Sequence, residues 1–288
     1  METPSDDGHG TTLADPITVR TMNFPLPGAI DPIIMAGEPE ESYTLIGVSL
    51  LLPYLEPYLI RTMKVARSHL SDPVLLADLG KFSAQEGQHY RQHRRFNEAV
   101  HASGFPRLTA LEEELSRDYQ RFSDERPLAF NLAYAEGFEA FTTALARFVL
   151  EERWLDRMPP AVRDLFGWHL IEELEHRTVA FDVYERISGN YGRRVLVSLY
   201  AQWHLLRFVI RATAHMLDAT PDVVARYGGV PAQRARFSRL RAQLAKGLLP
   251  KVLATYSPWY TPHAIEMPAE ARDLARHYTE MATTLGSR

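Results

Sequence analysis

Glu86-Gly87-Gln88-His89 and Glu173-Leu174-Glu175-His176 are the two stretches on which the reading of this chain turns. Each is a Glu-x-x-His pair within a helically patterned segment, and residues three apart share one helical face, a turn from each other. Each pair can therefore offer a carboxylate and an imidazole to one cation. With 22 Glu and 11 His in 288 residues, about one such pair is expected by chance, and the sequence has three. A dinuclear carboxylate centre in a four-helix bundle also needs one inward Glu from each of two partner helices, at the same level. Glu56 lies 30 residues before Glu86, and Glu139 lies 34 before Glu173. For antiparallel helices joined by a short loop, roughly four turns up and four turns down return the chain to one height. The two halves therefore agree. The third pair, Glu98 with His101, meets Ser68 and Lys64 at those separations and is read as a surface coincidence.

Working outward, breaks at Ser71-Asp72-Pro73, Gly104-Phe105-Pro106, Arg126-Pro127, Pro159-Pro160 and Gly189-Asn190-Tyr191-Gly192 delimit helices over residues 42–70, 73–102, 127–155 and 160–188. Asp72 serves as N-cap with Pro73 at the first helical position, so the first two helices form a hairpin. Pro159-Pro160 joins the second pair. Residues 103–126, with a short helix over 108–122, supply one long crossover. The expected fold is all-α: a ferritin-like four-helix bundle with one long crossover and additional C-terminal helices. Its metal-binding core spans 42–188, and accessory helices at about 193–217, 231–248 and 268–284 belong to the same domain, 38–288. Residues 1–37 read as an extended arm, with Met1 to Thr12 a disordered tail. Pro53 and Pro57 bracket Glu56 and predict a kink there.

Composition narrows the chemistry. There is no cysteine, which removes disulfides, thiolate metal sites and cysteine nucleophiles, so any metal is held by His and carboxylates. A net charge of −4 gives no basic footprint for nucleic acid. No secretory leader is recognised, and residues 195–210, interrupted by Gln202, His204 and Arg207, read as a core or homodimer-contact helix rather than a membrane span. A cytoplasmic protein is expected.

The candidate ligands are Glu56, Glu86, His89, Glu139, Glu173 and His176. Four carboxylates and two imidazoles balance two divalent ions, and this donor set suits iron or manganese, with zinc an alternative. His169 stands four residues before Glu173 on the same face and is an additional candidate. His93 has the same relation to His89 and is assigned beside the ligands rather than among them. Gln85, Glu172 and Asp182 are candidates to orient the imidazoles through their second nitrogen. Spacing leaves open an exchange of roles between Glu136 and Glu139.

Phe82-Ser83-Ala84-Gln85-Glu86-Gly87-Gln88-His89 with His93 and Asn97, then Glu139-Ala140-Phe141-Thr142, and Trp168-His169-Leu170-Ile171-Glu172-Glu173-Leu174-Glu175-His176 followed by Ala180-Phe181-Asp182, resemble a bacterial family labelled predicted metal-dependent hydrolases, within the ferritin-like superfamily. Asp72-Pro73 sits at the family's inter-helix turn. The likeness covers about residues 50–190, with a weaker echo at Tyr256-Ser257-Pro258 and Pro262-His263. Its register selects Glu56 and Glu139 as the remaining ligands, although Leu55-Glu56-Pro57-Tyr58 departs from the family's usual Gly-Glu before an aromatic pair. His169 is similar in place to the extra histidine of di-iron arylamine N-oxygenases. His93 stands where ribonucleotide reductase small subunits carry a radical tyrosine, which speaks against radical storage.

The leading expectation is a non-haem di-iron oxygenase or oxidase, with Glu139 and either Glu173 or Glu86 bridging the ions and His89 and His176 completing their shells, acting on a small organic substrate with dioxygen and an electron donor. A dinuclear metal-dependent hydrolase is the alternative, and an iron-handling or structural bundle a third reading. Phe82, Tyr90, Tyr134, Phe138, Phe141 and Phe181 are core residues or the lining of an apolar pocket.

Overall fold

The first long helix, α1 (Pro39–Ala66), starts where Pro39 supplies a preset φ and Glu40 and Glu41 oppose the helix dipole. It runs unbroken through Pro53 and Pro57. Residues 50–59 are packed on nearly every side, and that burial outweighs the two missing N–H donors. By length and composition this helix could cross a membrane, but 72% of its most apolar stretch is buried inside the protein, the pattern of a core helix. A 3₁₀ turn (Arg67–His69) leads to Asp72, whose carboxylate accepts from Val74 N at 2.9 Å and opens α2 (Pro73–Ala102).

The crossover is α3 (Leu108–Glu125), followed by α4 (Leu128–Glu151) and α5 (Pro160–Glu175). The helix expected over 160–188 is two: α5 ends at Glu175, with His176 as its C-cap, and α6 covers Val179–Ile187. The Arg177 guanidinium takes the Leu174 carbonyl, which removes the acceptor that a continuing helix would use. Helix α1 packs on α2 and α4, while α5 and α6 pack on α4 and α2. These elements make a four-helix core, with α3 laid against α1. Among the described residues there is no strand, so the all-α expectation holds.

Helix α7 (Tyr191–Ala219) lies on α1 and α4. Its approach to α4 is close: a Cβ on Gly137 would stand 2.5 Å from Ser198 Cα. The far side of α7 exposes Leu196, Leu199, Trp203, Leu206 and Ile210. The chain closes with α8 (Pro221–Arg226), α9 (Gly229–Gln243), a π turn (Leu244–Leu248), α10 (Leu249–Thr255), an irregular segment, and α11 (Ala269–Gly286), which packs on α5.

This architecture is that of a computed structural model, which describes residues 16–105 and 107–286. The tail proposed for Met1 to Thr12 lies outside the described residues. From residue 16 to 37 the arm forms no helix or strand, and it runs along α2. Gln85, Gln92 and Arg95 donate to the carbonyls of Thr18, Met22 and Phe24. Phe24 packs on Trp168 of α5, so the arm straps the two helices that carry the Glu-x-x-His pairs.

Candidate metal centre

Glu56, Glu86, His89, Glu139, Glu173 and His176 are each no more than 2% exposed and converge inside the four-helix core. His176 Nε2 lies 3.2 Å from Glu139 Oε2, 3.3 Å from Glu86 Oε1 and 3.6 Å from Glu173 Oε2. His89 Nδ1 lies 3.7 Å from Glu86 Oε2 and 3.7 Å from Glu173 Oε1. His169 joins the second group, with Nε2 3.0 Å from Glu173 Oε1 and 3.9 Å from Glu56 Oε1. Two end clusters result, Glu86, Glu139 and His176 in one and Glu56, His89 and His169 in the other, with Glu86, His89 and Glu173 a third group between them, and donor atoms of each group lie within 4.8 Å of one another. Glu86 and Glu173 turn one oxygen toward each cluster, which is the disposition of bridging carboxylates.

Hydrogen bonding tests whether cations fit. Of the thirteen buried side-chain N and O atoms without a hydrogen-bond partner among the described residues, nine belong to these six residues. They are both oxygens of Glu56, Glu86 and Glu139, together with Glu173 Oε2, His89 Nδ1 and His176 Nε2. Unpaired buried carboxylate oxygens are costly, and cations at the centre would satisfy many of them together. The residues therefore fit a pair of divalent metal ions in charge, donor type and arrangement.

The same crowding displaces the titrations. Burial pushes Glu86 and Glu139 up to about 7, reinforced by the neighbouring carboxylates. Burial and the other three acids hold Glu56 well above the carboxylate range. Burial alone would raise Glu173 and lower His176, but their mutual attraction wins, holding Glu173 well below its ordinary value and His176 well above. Without cations the cluster thus stores protons, one of them on the His176 nitrogen that faces the carboxylates.

Each imidazole is oriented from behind. His89 Nε2 donates to Glu172 Oε2 at 3.0 Å, leaving Nδ1 to face the centre. His176 Nδ1 donates to Gln85 Oε1 at 2.9 Å, and Gln85 is fixed in that sense because its amide donates to Thr18 O and Glu175 Oε2. Behind His169 stands a longer chain. Asn97 donates to the Ser49 carbonyl, so its Oδ1 accepts the single Ser49 hydroxyl proton at 2.7 Å. Ser49 Oγ must then accept from His93 Nδ1 at 2.8 Å. His93 Nε2 is left as an acceptor for His169 Nδ1 at 2.8 Å, and His169 Nε2 is turned to Glu173 Oε1 at 3.0 Å. Three imidazoles therefore turn a ring nitrogen toward the carboxylates.

Two expectations are corrected. Glu136 faces away from the centre, pairing with Arg194 at 3.2 Å and Ser198, so it does not exchange with Glu139. Asp182 accepts from His263 Nε2 at 2.8 Å and orients no imidazole of the centre, because the turn at residues 176–178 re-aims α6. Arg20, Glu175, Trp168 and Ser49 went unrecognised in the sequence. Arg20 pairs with Glu175 at 2.7 Å and Glu172 at 3.2 Å, and Trp168 Nε1 donates to Glu172. Nothing periodic marks Arg20 in an irregular arm; Ser49, two turns before Glu56 on one face, carried a readable signal. Glu98 is exposed, and His101 pairs with Glu112 at 2.7 Å, remote from the centre.

Beside the centre lies a narrow apolar cavity of about 40 Å³ whose wall includes His93, His169 and Glu173. Leu45, Leu52, Leu145 and Phe166 supply its apolar surface. None of the six aromatic residues considered for a pocket lines it; Phe82, Tyr134 and Phe138 are core.

The family of predicted metal-dependent hydrolases matches residues 18–266, from the arm through the segment after α10. The chain belongs to that family. The match takes in all seven converging residues and the arm that braces them. No curated protein and no solved structure matches the chain.

Proposed function

We propose that this member of the metal-dependent hydrolase family cleaves a small, largely apolar substrate at a dinuclear centre held by Glu56, Glu86, His89, Glu139, Glu173, His176 and His169. The observation that carries the proposal is the set of nine unpartnered donor atoms converging at one buried point; the family assignment supplies the reaction class. When bound, a pair of divalent ions supplies an activated water and polarises a carbonyl or phosphoryl oxygen.

The chain's own part is positional. Glu86 and Glu173 set the spacing of the two clusters through their divergent oxygens. Glu172, Gln85 and His93 fix the tautomers of His89, His176 and His169. Leu45, Leu52, Leu145 and Phe166 exclude bulk water beside Glu173 and favour an apolar group there.

A second reading rests on one specific feature. Three imidazoles and four carboxylates in a dry cavity form a donor set suited to iron, which supports dioxygen chemistry at the same residues. One experiment separates the two: metal analysis of purified protein, followed by turnover of ester, amide and phosphoester panels under argon and under air. Two divalent ions per chain with oxygen-independent, chelator-sensitive cleavage supports hydrolysis. Iron with substrate-dependent oxygen uptake and no anaerobic cleavage overturns it in favour of oxidation. Failure to retain any metal sinks both.

A further inference from the structure

Beside Ala140, the residue after Glu139, lies a larger cavity of about 340 Å³, separate from the narrow one that touches Glu173. Its floor is one face of α4: Ala140, Thr143, Ala144 and Arg147, spaced at i, i+3, i+4 and i+7. Its opposite wall is the irregular segment after α10, with Trp259 at 87% exposure marking the mouth. That segment is fastened to the core. Arg194 donates to the Thr255 and Ser257 carbonyls while pairing with Glu136, Asp182 holds His263, and Arg177 Nε donates to the Ile265 carbonyl. Glu136 and Asp182, which do not serve the metal centre, thus brace this second cavity.

Two observations point to an occupant. Thr143 is 1% exposed and lines the cavity, and its hydroxyl has no hydrogen-bond partner among the described residues. A buried hydroxyl in that state is satisfied by something entering the cavity. The charged lining residues are Arg147 and Lys251, with no carboxylate among the lining. Glu151 engages Lys251 at 2.6 Å, whereas Arg147 has no ion-pair partner among the described residues. One uncompensated cation remains, with a guanidinium geometry that matches a carboxylate in bidentate fashion. Around it, Ala140, Ala144 and Ile265 are apolar, and Trp259 offers an aromatic surface.

We infer that this cavity is a binding site for a small organic monocarboxylate with an apolar or aromatic body, its carboxylate on Arg147 and Thr143 and its body against Ile265 and Trp259. The site is independent of the reaction assigned to the metal centre, because none of the converging Glu and His residues lines it.

Benzoate is the probe, titrated calorimetrically into the full-length, metal-loaded chain, with neutral benzamide and inorganic phosphate as comparators. Saturable benzoate binding is expected, weakened roughly tenfold or more in Arg147→Gln and several-fold in Thr143→Val, with benzamide no better than the Arg147→Gln variant. Circular dichroism and metal content of both variants should match the parent. Benzoate affinity that is absent, or unchanged in Arg147→Gln, overturns the inference. Phosphate binding more tightly than benzoate at Arg147 overturns the carboxylate assignment. Loss in Glu173→Gln with retention in Arg147→Gln would place the anion on the metal centre instead.

Discussion

His93 Nε2 accepts from His169 Nδ1 at 2.8 Å, and this single contact decides which nitrogen of His169 faces the carboxylate cluster. The direction of that hydrogen bond is set two residues further back, by Asn97 and Ser49.

His93→Phe keeps a ring of similar bulk but removes the acceptor, so His169 is free to take the other tautomer or rotate. The expected outcome is a loss of roughly 10- to 100-fold in affinity for one of two metal ions, with the other little changed. Stepwise metal titration monitored by calorimetry measures it. Ser49→Ala should move the same step in the same direction. Equal weakening of both steps, or of neither, would contradict the role assigned to His169.

Metal binding should be proton-linked. In the metal-free chain Glu86 and Glu139 titrate at about 7 against an ordinary 4.5, so the folded state holds more protons than the unfolded one between those values. Stability contributed by those protons is present at low pH and is lost as pH rises through about 7. His176, whose range lies well above the usual one, has the same sign. Glu173 is deprotonated and His89 neutral near pH 7 with or without metal, so they cancel between the two forms. The gap in Tm between metal-loaded and metal-free protein should therefore widen from pH 5 to 7.5, and apparent affinity should rise by about tenfold per pH unit for each proton released. Differential scanning fluorimetry with and without chelator across that range provides the check; a constant gap would refute it.

Arg20→Ala removes the partner of two buried carboxylates, Glu172 and Glu175. A loss of roughly 3–5 kcal/mol is expected, because charge is left buried and unpaired. Metal affinity should fall as well, since Glu172 orients His89. Urea unfolding with metal titration measures both. Arg20→Lys should restore little, for the guanidinium reaches Glu175 through two nitrogens and Glu172 through one of them.

The exposed residues Leu196, Leu199, Trp203, Leu206 and Ile210 recur at alternating intervals of four and three along α7, and their order is nearly the same read in either direction about Trp203. Such a stripe can pack against itself across a two-fold axis. A homodimer through α7 is predicted, with Leu199→Glu and Leu206→Glu together producing a folded monomer by light scattering. A parent protein that is monomeric at micromolar concentration removes the prediction.

Much of this was legible from the residues. The bounds of α2 follow from Asp72-Pro73 and the run to Gly104, because capping and glycine chemistry are local. The convergence of Glu56 with Glu86 and of Glu139 with Glu173 follows from helical rise alone. What escaped was decided by tertiary contact. Helix α5 stops at Glu175 because the Arg177 side chain competes for a carbonyl, which no periodicity announces. Glu136 and Asp182 sit at plausible spacings, yet their partners come from α7 and the segment after α10, beyond the reach of any rule about neighbours along one helix.

The arm carries a consequence for how the molecule is made. Arg20 leaves the ribosome 152 residues before Glu172 and 155 before Glu175. For most of synthesis it has nothing to hold, and the first Glu-x-x-His helix is finished while the second does not yet exist. Docking of the strap, and with it the tautomer of His89, must wait until α5 has emerged. Cations are thus captured only after His176 has been made, and a chain stalled before residue 172 cannot assemble the site.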